Sequence, residues 1–446
     1  MFFCRPDFYD CFHCVGGACT DTCCAGWEIE VDEQTARSYR RMDTPFGREI
    51  AASLVEDDEG TWFRLTDDGR CPFLNREGLC RIIQNCGEES LCDICREHPR
   101  FYNWYGSRTE AGLGLSCEEA VRLLFHRTEP IRFLTEEIPD RPDEGNPREE
   151  AESPENHGEP PDRQEKLFLE QGKLSEAQGE TAGGQGKPTL RQGEAPRGQQ
   201  KPFRVQETEG TADFPGMDED TAQVLRFREE AFRIVSRREV SISRRICGLL
   251  DFAEELQAAV SGGQGADPQP GPGREPASAL SSPAEDAARI LDILEKLDIM
   301  TADWSSLLAG ASRGISDIVK LARSVPECGS CDTEYLLTYF LYRYFGQCAL
   351  DGDVVGKVRF AVLSCLIIRL LTVSRAAEKS GGKTGAGQPA GGLFRVTEQE
   401  RNTTVRLYSK EIEYCEENLE ELWKKEHSEE ALGTVRLRRL AEALYP

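Results

Sequence analysis

Twelve of the chain's 18 cysteines fall at or before Cys117, and no other feature constrains its fold as strongly. The opening MFFCRPDFYD carries neither a basic n-region nor an apolar run of signal length, so the expected setting is a reducing cytoplasm. Dense cysteines in that setting serve as metal ligands or catalytic thiols more often than as disulfides. The block 1–137 is punctuated by Gly and Pro and offers only short regular segments, such as the amphipathic stretch Glu33 to Arg41. That combination predicts an irregular, metal-stapled domain, because metal can hold loops that a small apolar core cannot.

The 446 residues allow two or three domains, and the formal charge of −25 argues against nucleic acid or an anionic membrane surface as partner. No run of apolar residues free of charge is long enough to span a bilayer. The closest, Val354 to Val373, carries Lys357, Arg359 and Arg369 and reads as a buried core helix. Between 138 and 216 the composition turns to Glu, Gln, Gly and Pro. Here Gln164, Gln171, Gln178, Gln185, Gln192, Gln199 and Gln206 recur every seven residues. Gly after four of these glutamines, and Pro188, Pro196 and Pro202, rule out a sustained coiled-coil seam. A disordered, repeat-expanded insert is expected.

From 217 to 446 the helical period dominates, with further disordered loops expected near 261–283 and 378–393. Asp218 or Asp220 caps a first helix, and others are expected over Val240–Val260, Ala284–Leu297, Asp332–Phe345 and Gly352–Arg375. The last two are predicted to form the core hairpin. A final long helix is expected from Glu398 to Lys425, on the strength of charges at helical spacing. The fold class is thus mainly α: a cysteine-rich N-terminal domain followed by an all-α one.

The core of the cysteine block reads Cys14-Val-Gly-Gly-Ala-Cys19-Thr-Asp-Thr-Cys23-Cys24, with Cys4 and Cys11 before it. Cys71, Cys80, Cys86, Cys92, Cys95 and Cys117 follow. Thiolates bind soft or borderline metals, and Gly16 with Gly17 gives the loop freedom to converge. Within this block only Cys11/Cys14 and Cys92/Cys95 have the spacing of a zinc knuckle, so zinc and iron–sulfur stay open on spacing alone. Neither a hydrolase elbow nor a nucleotide loop is present. Gly112 and Gly114, in Ala-Gly-Leu-Gly-Leu, read as a turn. The five histidines, His13, His98, His126, His157 and His427, form no ligand pair, and His13 reads as a surface loop residue.

The run Asp10-Cys11-Phe12-His13-Cys14 through Cys23-Cys24-Ala25-Gly26-Trp27 resembles the opening of the flagellin lysine N-methylases. So do Cys71-Pro72-Phe73-Leu74 with Gly78-Leu79-Cys80, Cys95 before Pro99-Arg100, and Leu115-Ser116-Cys117-Glu118. Tyr335 to Phe345, Gly352 to Leu371 and Leu407 to Tyr414 resemble the helical part of that family. The resemblance implies metal ligands at Cys14, Cys19, Cys23, Cys24, Cys71, Cys80, Cys95 and Cys117, with Cys4, Cys11, Cys86 and Cys92 as extras. Some members carry Tyr where this chain has His98. It also implies a [4Fe-4S] cluster, with zinc as the alternative, S-adenosylmethionine as methyl donor, and flagellin lysines as acceptors. Tyr102, Tyr105, Glu118 and Glu119 are the proton acceptors that could be named, and the catalytic residues stay unassigned. A non-enzymatic zinc- or iron-binding scaffold is the alternative function.

Overall fold

The computed structural model describes residues 1–23, 29–57, 60–67, 69–138, 217–261, 281–380 and 394–446. Cys24, nearly all of the expected insert and most of both expected loops lie outside the described residues. In chain order the strands are β1 (Phe2–Pro6), β2 (Leu54–Glu56), β3 (Thr61–Phe63), β4 (Arg100–Tyr105), β5 (Arg108–Leu113) and β6 (Phe133–Glu137). The helices before residue 138 are α1 (Glu33–Arg41), α2 (Pro45–Ala52), α3 (Arg81–Cys86), α4 (Asp93–Glu97) and α5 (Glu118–Phe125). After residue 217 come α6 (Glu219–Val235), α7 (Ile242–Ser261), α8 (Pro283–Leu294), α9 (Ala302–Ser324), α10 (Asp332–Tyr344) and α11 (Cys348–Asp351). The series closes with α12 (Val354–Lys379), α13 (Glu398–Tyr408), α14 (Glu416–Ser428) and α15 (Thr434–Leu444). The protein is mainly α, and no helix among the described residues is long and apolar enough to cross a membrane.

The structure divides into two compact units. The first holds the described residues of Met1–Glu170 together with Asp298–Trp304 and Thr397–Tyr414. Where the sequence suggested an irregular domain, this unit carries a four-stranded sheet in the order β4-β5-β1-β6. β4 and β5 form an antiparallel hairpin, β1 runs parallel to β5, and β6 closes antiparallel on β1. The signal was present: Arg-Phe-Tyr-Asn-Trp-Tyr is aromatic-rich and is followed by Gly-Ser, a two-residue hairpin turn. Gly112, expected in a turn, sits inside β5, opposite Phe101, whose ring fills the space a Cβ would take. Two apolar clusters support the unit. One gathers Ile29, Tyr39, Ile50, Phe63, Phe73 and Ile82, and the other gathers Tyr9, Phe12, Leu113 and Ala120. α1 spans the expected residues because Asp32 accepts the Thr35 backbone N–H at 2.9 Å and so caps it.

The second unit comprises the described residues of Gln171–Leu297, Ser305–Val396 and Cys415–Pro446. Its centre is α12, buried on nearly every side, with α7, α10 and α15 packed around it. The expected pairing of α10 with α12 is present, with the Phe340 and Phe360 rings 5.8 Å apart. The charges on α12 are accommodated individually. Lys357 meets Asp351 at 2.9 Å, and Arg369 donates to the Ala322 carbonyl at 2.6 Å. Asp218 caps α6 as expected by accepting from Thr221. α9 and α15 were not foreseen. The sequence of α9 is rich in Ser and Gly, weak helix formers that tertiary packing overrides.

The long helix expected from Glu398 to Lys425 is broken. α13 ends at Tyr408, a π-helical turn spans Ser409–Glu413, and Cys415 is extended before α14 begins. The charge spacing misled because Glu411 and Glu413 are buried rather than lying on a solvated face.

Candidate functional site

The predicted ligand cysteines fall into two neighbourhoods of the first unit. Cys71, Cys80, Cys92 and Cys95 line the core around Tyr39 and Phe73. A short bridge between Leu74 and Cys80 brings the two ends of the Cys71–Cys80 loop together. α4 starts directly after Cys92 and carries Cys95. The Cys95 side chain hydrogen-bonds that of Cys92 and thereby lowers the Cys92 thiol's pKa. Burial, followed by the fields of Cys92, Cys95 and Cys80, holds the Tyr39 hydroxyl well above its usual range, and it donates to the Ser90 carbonyl at 2.5 Å. Cys92, an extra by resemblance, therefore stands among the predicted ligands.

The second neighbourhood contains Cys14, Cys19 and Cys117. Gly16 and Gly17 place this loop against the turn Glu77-Gly78-Leu79. A Cβ on Gly17 would stand 2.8 Å from the Glu77 carbonyl oxygen, so only glycine allows that approach. The two cysteine loops are thus packed on one another. Burial pushes the Cys19 thiol up to about 11, and raises the Cys117 thiol as well. Cys23 is exposed at the edge of the described residues. Among the described residues no group of three or more His, Cys, Asp or Glu side chains is arranged to hold a metal ion. The donor chemistry, sulfur throughout, suits an iron–sulfur cluster or a structural zinc.

Around Cys19 the chain is held by charge. Glu118, at the start of α5, accepts from the Thr20 backbone at 2.7 Å and from the Thr20 hydroxyl at 2.6 Å. Burial would raise the Glu118 carboxyl, but these bonds outweigh it and leave the group below its ordinary range. Next in sequence, Asp21 is engaged by both Arg406 and Lys410. The π turn that carries Lys410 also buries Glu411, which accepts from the Met300 backbone at 2.9 Å and from the Thr301 hydroxyl. Such turns recur at functional sites because one extra residue re-aims the side chains that follow.

Tyr414, directly after that turn, presses its hydroxyl onto Gly114. A Cβ there would stand 1.8 Å from the Tyr414 oxygen, which explains a glycine three residues before Cys117. His98 meets Tyr414 edge-on, with ring centroids 6.1 Å apart. Burial, with the charge of Lys410 adding, pulls the imidazole down to about 4, so it is neutral at pH 7. Sequence reasoning assigned no role to His98, Asp21 or Lys410. Of the candidates it did name, Tyr102 donates to Glu97 at 2.6 Å and Glu119 is held by Arg122 at 2.6 Å. Tyr105 closes β4 opposite Arg108. Glu118 meets a cysteine loop directly, through Thr20 and the Cys19 thiol.

Three relatives match part of the chain. The chain is 32% identical over 123 residues to the flagellar biosynthetic protein FliU of Salmonella muenchen, a match spanning 26% of this chain and 73% of that one. The chain belongs to the FliU family. At the same identity and over the same length it matches lysine-N-methylases of Salmonella typhimurium and Salmonella choleraesuis, covering 31% of each. The chain thus spans about a third of the two lysine-N-methylases it matches. No family model and no solved structure matches it.

Proposed function

We propose that this FliU-family chain is a protein-lysine N-methyltransferase that uses S-adenosylmethionine and acts on flagellin. The observation that carries the reading is its similarity to proteins named lysine-N-methylase. The site described above supports it, since cysteine loops, a π turn and a buried neutral histidine adjoin in one unit. Cys14, Cys19 and Cys117, with Cys23 and Cys24 beside them in sequence, are the residues that would hold a [4Fe-4S] cluster. When bound, a cluster with an open iron supplies a coordination site for an amino acid's amine and carboxylate. The chain's own part is electrostatic. Glu118 puts a carboxylate next to that loop, while the charge of Asp21 is offset by Arg406 and Lys410; a carboxylate there suits a cationic donor. His98, held neutral, packs against Tyr414 and contributes no competing positive charge at neutral pH. Reaction then requires the acceptor amine to lose its proton and align with the donor methyl, with water excluded.

The test is anaerobic purification, iron and sulfide analysis, and methyl transfer to flagellin followed by mass spectrometry. The expected result is a brown protein that methylates flagellin lysines and loses that activity on Cys117→Ser. A colourless protein with one zinc and no transfer overturns the proposal. A second reading, a non-enzymatic zinc- or iron-binding scaffold localised like the first in the cytoplasm, is favoured by one observation. Cys71, Cys80, Cys92 and Cys95 sit within an apolar core, a position suited to stapling.

A further inference from the structure

The cysteine spacing of Cys92/Cys95 occurs again in the second unit, as Cys328-Gly329-Ser330-Cys331 between α9 and α10. This segment is built with care. Cys331 is the residue that opens the 13-residue helix α10, and its side chain makes no cap hydrogen bond. The Gly329 backbone donates to Asp332 at 2.9 Å, which folds the two intervening residues into a turn. Ser330 places its hydroxyl 3.6 Å from the Cys331 sulfur. Just before the motif, half-buried Glu327 accepts from the Thr333 backbone at 2.8 Å, and the Thr333 hydroxyl meets Tyr445 at 2.8 Å. Arg369 braces the preceding turn through the Ala322 carbonyl. The guanidinium of Arg238 and the ring of Tyr335 both stand close enough to interact electrostatically with Cys331.

The two thiols differ in access: Cys331 is buried and Cys328 is half-buried. An accessible cysteine three residues ahead of a buried one that opens a helix is an arrangement suited to thiol–disulfide exchange. The other cysteines of this unit lack it. Cys348 and Cys365 are buried singly, and burial raises both thiols far above their ordinary range.

We propose that Cys328 and Cys331 are a redox-active dithiol that exchanges with small disulfides of the glutathione class. The Cys328 thiolate attacks one sulfur of the small disulfide, forming a mixed disulfide and releasing one small thiolate. The Cys331 thiolate then attacks the Cys328 sulfur, closing the Cys328–Cys331 bond and releasing the second small thiol. Two electrons pass from the protein to the small disulfide, and the two protons from the cysteines end on the released thiols. The turn fixed by Asp332 orders the two residues between the cysteines, so that the second attack stays within one short loop.

The experiment uses the full-length protein equilibrated anaerobically in glutathione/glutathione-disulfide buffers of rising oxidation, then quenched by differential alkylation and mapped by peptide mass spectrometry. The expected result is a Cys328–Cys331 disulfide that forms and reverses with buffer ratio while Cys348 and Cys365 stay reduced. Cys331→Ser is expected to trap glutathione on Cys328, and Cys328→Ser to abolish both products. Wild-type protein in which Cys328 and Cys331 stay reduced until Cys348 and Cys365 oxidise overturns the proposal. So does oxidation that pairs Cys328 with a cysteine outside the motif. The wild-type map decides the matter even if a variant fails to fold.

Discussion

Gly114 matters because of what it lacks. With the Tyr414 oxygen 1.8 Å from where a Cβ would be, Gly114→Ala must displace Tyr414, and with it the contact to His98. Overpacking of this kind costs about 1–3 kcal/mol, measurable by chemical denaturation. Gly248, where a Cβ would stand 3.8 Å from the Ile234 side chain, is the control, and Gly248→Ala in mid-helix is expected to be neutral or stabilising. His98 supplies a pH signature. Its folded pKa, about 4, lies below the ordinary 6.5, so its stabilising effect is complete above 6.5 and is lost as the pH falls towards 4. Between pH 7 and pH 5 the first unit should lose about 1–2 kcal/mol through this group. His98→Phe should flatten that part of the stability–pH curve, and an unchanged curve would exclude the assignment. None of this was legible in the sequence, where His98 is one histidine among five and Gly114 resembles a turn residue.

Among the elements, those with a regular period were readable and those shaped by tertiary contacts were not. α12 announced itself as a nearly continuous apolar run, and Leu366 within it is fully buried. Leu366→Ala should therefore cost about 2–5 kcal/mol, whereas Val435→Ala, at an exposed position of α15, should stay within about 0.5 kcal/mol. The π turn is the opposite case. Its charges match a solvated helix, whereas contacts such as those from Asp21, Met300 and Thr301 draw it inward. Deleting Lys410 should let α13 continue at ordinary pitch and turn Glu411 and Tyr414 away from their partners. Hydrogen exchange at residues 19–21 is expected to rise far more in this deletion than in Lys410→Ala, which removes one ion pair. Equal exchange in the two variants would show that the turn's geometry is not what matters. The sheet was missed for another reason. Its hairpin signal, Arg100 to Tyr105 before Gly106-Ser107, stands in a block whose cysteine, Gly and Pro content equally fits loops.

At the scale of the whole molecule, composition marks where Glu, Gln, Gly and Pro take over after residue 138 and where helical spacing resumes after 217. It carries no trace of the return of Thr397–Tyr414 to the first unit, because that return rests on individual contacts such as Asp21 with Arg406 and Phe125 with Arg401. The candidate site divides in the same way. Its cysteines were legible as soft-metal donors, while their sorting into two neighbourhoods and the inclusion of Cys92 depend on packing. A fragment of residues 1–138 lacks Glu411, Tyr414 and the rest of that returning segment. It should unfold without cooperativity in a calorimetric scan, and a sharp transition would show the returning segment to be dispensable.

The interleaving of the first unit also sets a clock. During synthesis its N-terminal cysteines leave the ribosome long before Thr397–Tyr414 is made, a delay of tens of seconds at ~5–20 residues per second. For that interval Cys14, Cys19 and Cys117 lack the segment that fixes Asp21 in the mature protein. Those thiols are therefore first presented to their surroundings in a nascent chain, before the segment that holds Asp21 exists.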